Sequence, residues 1–226
     1  MYTLYIANKN YSSWSLRPWV LLRQLAIPFE EKLTPFAEGS NWAAFRSFSP
    51  SGKVPCLHDG DAVVWDSLAI AEYVAERHPL VWPGDAQARA WARSAAAEMH
   101  SGFTALRQQC PMHCGFRIRL KEISPALKSD IERIDELWRE GLQRFGGPFL
   151  AGGQFTAVDA FFAPVAFRVQ TYAPPLSAAA SAYAQRLLAL EAMREWEAAA
   201  LRETWRDAAH DEETLAAGSL LADHRA

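Results

Sequence analysis

The chain has 226 residues, half of them hydrophobic and 22% charged, with a formal net charge of −3. That length suits one large domain or two small ones, and the composition is ordinary for a globular protein. Slight acidity offers no basic face for nucleic acid or an anionic membrane, and no run of ~18 apolar residues is present to span a bilayer.

The chain opens with "YTLYIA", which reads as a buried strand and lacks the charged start and apolar stretch of a secretory leader. "LRPWVLLRQLA" places Leu16, Trp19, Val20, Leu22 and Leu25 near helical spacing, and Ile27-Pro28 stops it. "FEEKLTPF" is a second short strand, and "NWAAFRSF" a helical turn or two. "VPCLHDGDAVVWDS" reads as a hairpin around Asp59-Gly60-Asp61, and "SLAIAEYVAERH" as an amphipathic helix opened by a serine. The order is β-α-β-α-β-β-α.

Two prolines and a glycine in "HPLVWPGDAQ" mark a linker over residues 79–85. Beyond it every segment reads as helix or loop. Residues 86–107 form one long helical pattern, and 128–145 another, stopped by Gly146-Gly147-Pro148. A third covers 156–171, and the alanine-rich stretch after it holds two more helices. The reading is a small α/β unit (1–78), a linker (79–85) and an all-helical unit (86–226).

Cys56, Cys110 and Cys114 are odd in number with no framework spacing, which points to a reducing compartment and a cytoplasmic protein. Cys110, His113 and Cys114 in "CPMHCGFRIR" have the donor atoms of metal ligands. Four-coordinate structural zinc usually needs two such pairs, so no metal is expected, and the segment reads as the end of the long helix.

Three stretches resemble the cytosolic glutathione transferases: "YSSWSLRP", "KVPCL…WDSLAIAEYV" and "FTAVDAFFAPV". The resemblance covers nearly the whole chain. It implies a thioredoxin-like first domain and a helical second domain that forms the acceptor-substrate pocket. It also implies glutathione as cosubstrate, a small electrophile as second substrate, and a homodimer. Trp42, Phe45 and Phe48 are candidate dimer contacts, although their default role is packing under their own short helix.

Each stretch has a physical reading beside the implied one. Pro55 at a strand start cannot donate to the ladder. The resemblance implies a cis Val54-Pro55 bond, with the Val54 backbone binding the cysteinyl part of glutathione. Ser67 precedes an apolar-periodic run, so it suits a helix N-cap. A helix N-terminus also attracts a carboxylate. The resemblance gives Ser67 the γ-glutamyl carboxylate and Asp66 the amino group, although a longer Glu or Gln is usual at that position. Lys53 can reach a glycyl carboxylate, although a lysine beside a turn is more often only solvated. Thr156 and Asp159 have capping-box spacing, with Phe155 as the staple residue, and belong to folding.

The serines remain. Placing Ser15 at the N-cap puts Pro18 in the first turn, where its missing N–H costs nothing. A free thiol of pKa ~8.5 needs a hydrogen bond or a helix N-terminus to ionise at neutral pH. The sequence resembles the serine-type zeta and tau classes, whose active serine stands five positions before an arginine. Counting back from Arg17 gives Ser12 as the catalytic residue. A theta-like count of four gives Ser13, which is otherwise placed with the glutathione-binding residues.

Tyr5 and Tyr11 are alternative donors of the alpha- or mu-like kind; Tyr5 reads as core and Tyr11 as pocket lining. Met99, Phe103 and Arg107 share one helix face, with core as their default, although the resemblance implies that this helix faces the acceptor site, and Trp14, Phe116 and Trp205 are further candidate walls. Cys56 reads as a small buried hydrophobe. The expected activity is conjugation of glutathione to an electrophile in detoxification. Isomerisation of a maleyl-type acid and a non-catalytic binding role stand as alternatives.

Overall fold

The computed structural model describes residues 1–37 and 39–225. The first unit has the expected order: β1 (Tyr2–Ile6), α1 (Ser13–Gln24), β2 (Phe29–Leu33), α2 (Trp42–Arg46), β3 (Cys56–Asp59), β4 (Ala62–Trp65) and α3 (Ser67–Ala75). The four strands form one sheet in the order β2-β1-β3-β4. β1 runs parallel to β2 and antiparallel to β3, and β3 is antiparallel to β4. Leu4, Ile6 and Leu57 are buried beside Leu16, Trp19 and Val20 of α1, so the apolar face of α1 covers the sheet. Each such side chain contributes ~1.5–3 kcal/mol by leaving water.

After a short 3₁₀ turn at Pro79–Val81 come α4 (Ala86–Ser101), α5 (Thr104–Gln109), β5 (Phe116–Leu120), α6 (Pro125–Phe145), α7 (Ala157–Tyr172), α8 (Ala178–Leu188), α9 (Glu191–Arg202), α10 (Ala208–Ala216) and β6 (Gly218–Asp223). α7 is the core element: fourteen of its sixteen residues are buried, and it packs on α1, α4 and α8. Its capping box is present as read, with the Asp159 carboxylate accepting from the Thr156 N–H (2.9 Å).

Three expectations need correction. The pattern over 86–107 is two helices. α4 stops at Gly102 and Phe103 takes a left-handed conformation (φ 57°), unusual for a bulky residue. The break turns Arg107 back onto the chain, where its guanidinium donates to the carbonyls of Gly102 (3.0 Å) and Met99. Residues after the linker are not all helix or loop, because β5 and β6 form an antiparallel ribbon. Phe116 and Ile118 face inward between Arg117 and Arg119, a period of two that the helical surroundings obscured. Finally, α1 begins at Ser13, so Pro18 lies inside the helix and not in its first turn.

The two units share a tight seam. Trp196 of α9 packs edge-on to Trp19 of α1 and donates to the carbonyl of Lys9 (2.9 Å). The buried Glu203 carboxylate accepts from the N–H groups of Lys9 (2.6 Å) and Asn10 (3.3 Å), so the loop before α1 is held from the second unit.

Candidate active site

A cleft of about 520 Å³ opens between the units at the N-terminus of α1. The first unit lines it with Tyr11, Ser12, Ser13, Trp14, Phe36, Trp42, Lys53 and Val54. The second contributes Arg107, Pro111, Met112, Arg168, His210 and Glu213. Val54-Pro55 is cis, and Val54 lies just before β3, outside its ladder registers.

Ser12 is the N-cap of α1: its Oγ accepts from the Ser15 N–H at 3.4 Å. Its hydroxyl donates to Ser15 Oγ at 2.7 Å, and that oxygen also accepts from the Ala7 N–H at 3.2 Å. Ser15 is therefore not the cap. It is fully buried one turn in, where it links β1 to Ser12. No acidic residue occupies the first turn of α1, so the positive end of the helix is not neutralised from within.

The N-terminus of α3 is built differently. Asp66 is the N-cap, with its Oδ1 accepting from the Leu68 N–H (2.8 Å) and its backbone at φ 78°. Its other oxygen meets His100 Nε2 at 3.3 Å. His100 Nδ1 lies 3.5 Å from the Arg17 guanidinium, which can only donate, so Nε2 carries the ring proton and donates to Asp66. Burial, with the neighbouring arginines, holds the His100 pKa below its usual value against the pull of Asp66, consistent with a neutral ring. Ser67 is buried, and its Oγ has no hydrogen-bond partner. A buried hydroxyl without a partner is a hydrogen-bonding group that the protein itself leaves unsatisfied.

Above the cleft, α10 is fastened by one carboxylate. Asp211 Oδ1 accepts from the Tyr11 hydroxyl (2.9 Å) and from His113 Nε2 (3.0 Å), and Oδ2 from Arg225 (2.7 Å). Burial raises the Asp211 pKa, but these three donors outweigh it and bring the carboxyl down to about 2. The His210 ring stacks between Tyr11 and Phe36.

The sequence matches the family model "Glutathione S-transferase, N-terminal domain" over residues 11–77 and "Glutathione S-transferase, C-terminal domain" over residues 89–210. The chain belongs to the glutathione S-transferase family. It is similar to glutathione S-transferase theta-1 of Homo sapiens, 25% identical over 171 residues that cover 68% of this chain and 70% of the relative. A second relative, glutathione S-transferase 1 of Dianthus caryophyllus, is 27% identical over 169 residues, 71% of this chain and 74% of its own. Its fold is similar to that of the theta class enzyme of Xanthomonas axonopodis pv. citri, solved with glutathione bound. The TM-score is 0.64 at 22% identity, over 86% of this chain and 95% of the other.

Against that family pattern, the cleft of the transferase brings together Ser12, Ser13, Lys53 and Val54, while Pro55, Asp66 and Ser67 lie outside its lining. Asp66 is tied to it through His100, whose ring meets Trp14 edge-on at 5.3 Å. The helix-cap role read for Ser67 falls instead to Asp66, because the shorter side chain at 66 reaches the Leu68 N–H. Tyr11, Trp14 and Arg107 line the cleft as candidates did; Phe116 and Trp205 do not. Phe116 stacks on His113 (3.8 Å) inside the ribbon, and Trp205 is exposed.

Cys110 and Cys114 are buried, and burial pushes both thiols up, Cys110 to about 12. Both His113 nitrogens serve the fold, Nδ1 accepting from the Phe116 N–H (2.9 Å). Phe45 and Phe48, candidate dimer contacts, pack against each other, and Phe48 stacks on Tyr5 (4.5 Å). The sequence reading missed Phe36, Arg168, His210 and Glu213. Only Arg168 left a signal, as the single charged residue in the apolar run "AFFAPVAFRV".

Proposed function

We propose that the chain is a glutathione transferase in which Ser12 stabilises the glutathione thiolate at the N-terminus of α1. The observation that carries this reading is that Ser12, Ser13 and Val54 line one cleft, at a helix N-terminus that has no acid in its first turn. Hydroxyl protons are free to rotate. If Ser15 donates to Ser12 across their 2.7 Å separation, the Ser12 proton turns into the cleft, and the chain of donors from Ala7 N–H through Ser15 to Ser12 ends on sulfur. Such chains strengthen each link. The thiol proton leaves to solvent, and the thiolate then forms its bond to the electrophilic carbon of the second substrate as the leaving group departs with its electron pair.

Ser13, Lys53, Val54, Pro55, Asp66 and Ser67 make up the glutathione site in this reading. Ser67 Oγ, orphaned in the protein, takes the γ-glutamyl carboxylate, and Asp66 takes the amino group with lone pairs left by Leu68 and His100. Residues 1–78 form the glutathione domain, 79–85 the linker and 86–226 the acceptor domain. A cytoplasmic homodimer with a detoxifying role fits the family and the three free cysteines. Of the three candidate contacts Trp42 is the exposed one, at the edge of the cleft, and so the one open to a partner subunit. Among the described residues no helix is long and apolar enough to cross a membrane.

The test is a titration of the thiolate absorbance of bound glutathione. A bound thiol that ionises well below the free value of ~8.5 supports the reading. Titration at the free value would remove Ser12 and the helix N-terminus from the chemistry. Sedimentation as a monomer at micromolar concentration would remove the dimer.

A further inference from the structure

The second-unit wall of the cleft holds two guanidinium groups, Arg107 and Arg168, and a third, Arg17, stands behind Trp14. Arg107 and Arg17 both lie against the Trp14 ring, at 4.7 and 4.3 Å from its centroid. Arg168 is 3% exposed, donates to the carbonyls of Cys110 (2.7 Å) and Pro164 (3.2 Å), and still lines the cavity. Among the described residues none of the three has a carboxylate within ion-pair distance. Asp130, which attracts Arg107 at longer range, is taken by the Leu106 N–H, and Asp66 reaches Arg17 only through His100. Glu213 is the acidic residue in the lining, on the exposed face of α10.

Cations buried together without counter-charge repel one another and lose hydration, a cost that an incoming anion removes. Burial and the neighbouring Arg107 hold the Arg168 pKa down to about 10, so it remains charged at neutral pH. The Arg17 Nε–H is buried with no acceptor at all. A folding role does not require this arrangement: backbone carbonyls satisfy only part of each fork, and a buried neutral side chain of similar volume would avoid the repulsion. Guanidinium forks match a carboxylate in two parallel hydrogen bonds. The flanking rings of Trp14, Tyr11, Phe36 and His210 suit a flat, unsaturated body.

We propose that the second substrate of this cleft is an electrophile that carries a carboxylate, with the negative group held by Arg107 and Arg168. This rests on the transferase reading for the reaction but not for the binding. In conjugation, sulfur bonds to the electrophilic carbon, the leaving group departs with its electron pair, and the carboxylate stays in its guanidinium clamp.

The experiment compares 4-chloro-3-nitrobenzoate with 4-chloro-3-nitrobenzamide, which differ in charge and little in shape. Binding of each to the full chain without glutathione is measured by calorimetry or by quenching of tryptophan fluorescence. The benzoate is expected to bind about tenfold tighter or more. Arg107→Gln brings its affinity to that of the benzamide, whereas Arg107→Lys, which keeps the charge, retains part of the preference. Equal affinities in the parent chain overturn the proposal. So does a loss of glutathione affinity in Arg107→Gln with the benzoate preference intact, which would assign the guanidinium to the tripeptide. A second arm adds glutathione and follows chloride release. Preference without turnover keeps the anion site and removes the transferase reading; turnover without preference does the reverse.

Discussion

The N-termini of α7 and α3 each carry a carboxylate that accepts from nearby backbone N–H groups, and they are finished differently. At α7, Asp159 is fully buried and every contact closes on the protein: it accepts from the N–H groups of Leu150 (3.0 Å) and Thr156 (2.9 Å) and from the Tyr183 hydroxyl (2.7 Å). At α3, Asp66 is half exposed in a left-handed conformation, and the next residue, Ser67, buries a hydroxyl that bonds to nothing. A closed cap lowers the free energy of the folded chain. An open one leaves hydrogen bonds for a ligand to complete. The contrast separates folding from binding on the basis of hydrogen-bond accounting alone.

The largest effect expected from breaking this contrast is at the closed cap. Asp159→Ala strands three donors in the core and should cost roughly 3–6 kcal/mol, a large part of a typical stability of ~5–15 kcal/mol. Chemical denaturation measures it. Any folded fraction should bind glutathione as before; lost affinity in the folded fraction would show that the two termini are not separate. Burial raises the Asp159 pKa from 3.8 to about 6 against those same hydrogen bonds. A raised carboxyl pKa favours the fold below the unfolded value, and that contribution is lost as pH rises from ~4 to ~6.

Ser12→Ala touches both roles, because Ser12 is the cap of α1 and the proposed donor to sulfur. Turnover should fall by ~10- to 1,000-fold with a raised thiol pKa, while the lost cap costs ~0.5–2 kcal/mol. Ser15→Ala sharpens the assignment: it leaves the Ala7 N–H buried without a partner, at ~1–3 kcal/mol. Were Ser13→Ala to produce the pKa change instead, the register would move by one residue while the chemistry stood.

At the open cap the expected effect on folding nearly vanishes. Ser67→Ala removes a hydroxyl that has no partner in the protein, so unfolding should shift by less than ~0.5 kcal/mol. Glutathione affinity should drop by ~10- to 100-fold, read by calorimetry. Unchanged affinity would make Ser67 a buried residue with no function in the site.

A purely pH-dependent effect is expected at Asp211, whose carboxyl is held from 3.8 down to about 2. A depressed pKa contributes stability above the unfolded value, which is lost as pH falls from ~4 to ~2. Thermal melts across that window should show an acid-driven loss in the parent chain that Asp211→Asn lacks. Matching slopes would mean that the clasp of α10 over the cleft does not depend on the charge of Asp211.

Sequence by itself determined the order of strands and helices in the first unit, the capping box of α7 and the family, and the resemblance to that family implied the cis proline. The elements and the capping box are written in local spacing: a Thr and Asp three apart, apolar residues repeating at two or at 3.6. It also brought Ser12 into view as a member of a cluster. Which serine caps α1 was decided by the packing that brings Ser15 Oγ to the Ala7 N–H, eight residues away in the chain. The break at Gly102 and Phe103, the ribbon of β5 with β6, and the meeting of Arg107 with Arg168 were likewise settled by packing. The last pair lies 61 residues apart on different helices, and local propensity carries no information about a contact of that separation.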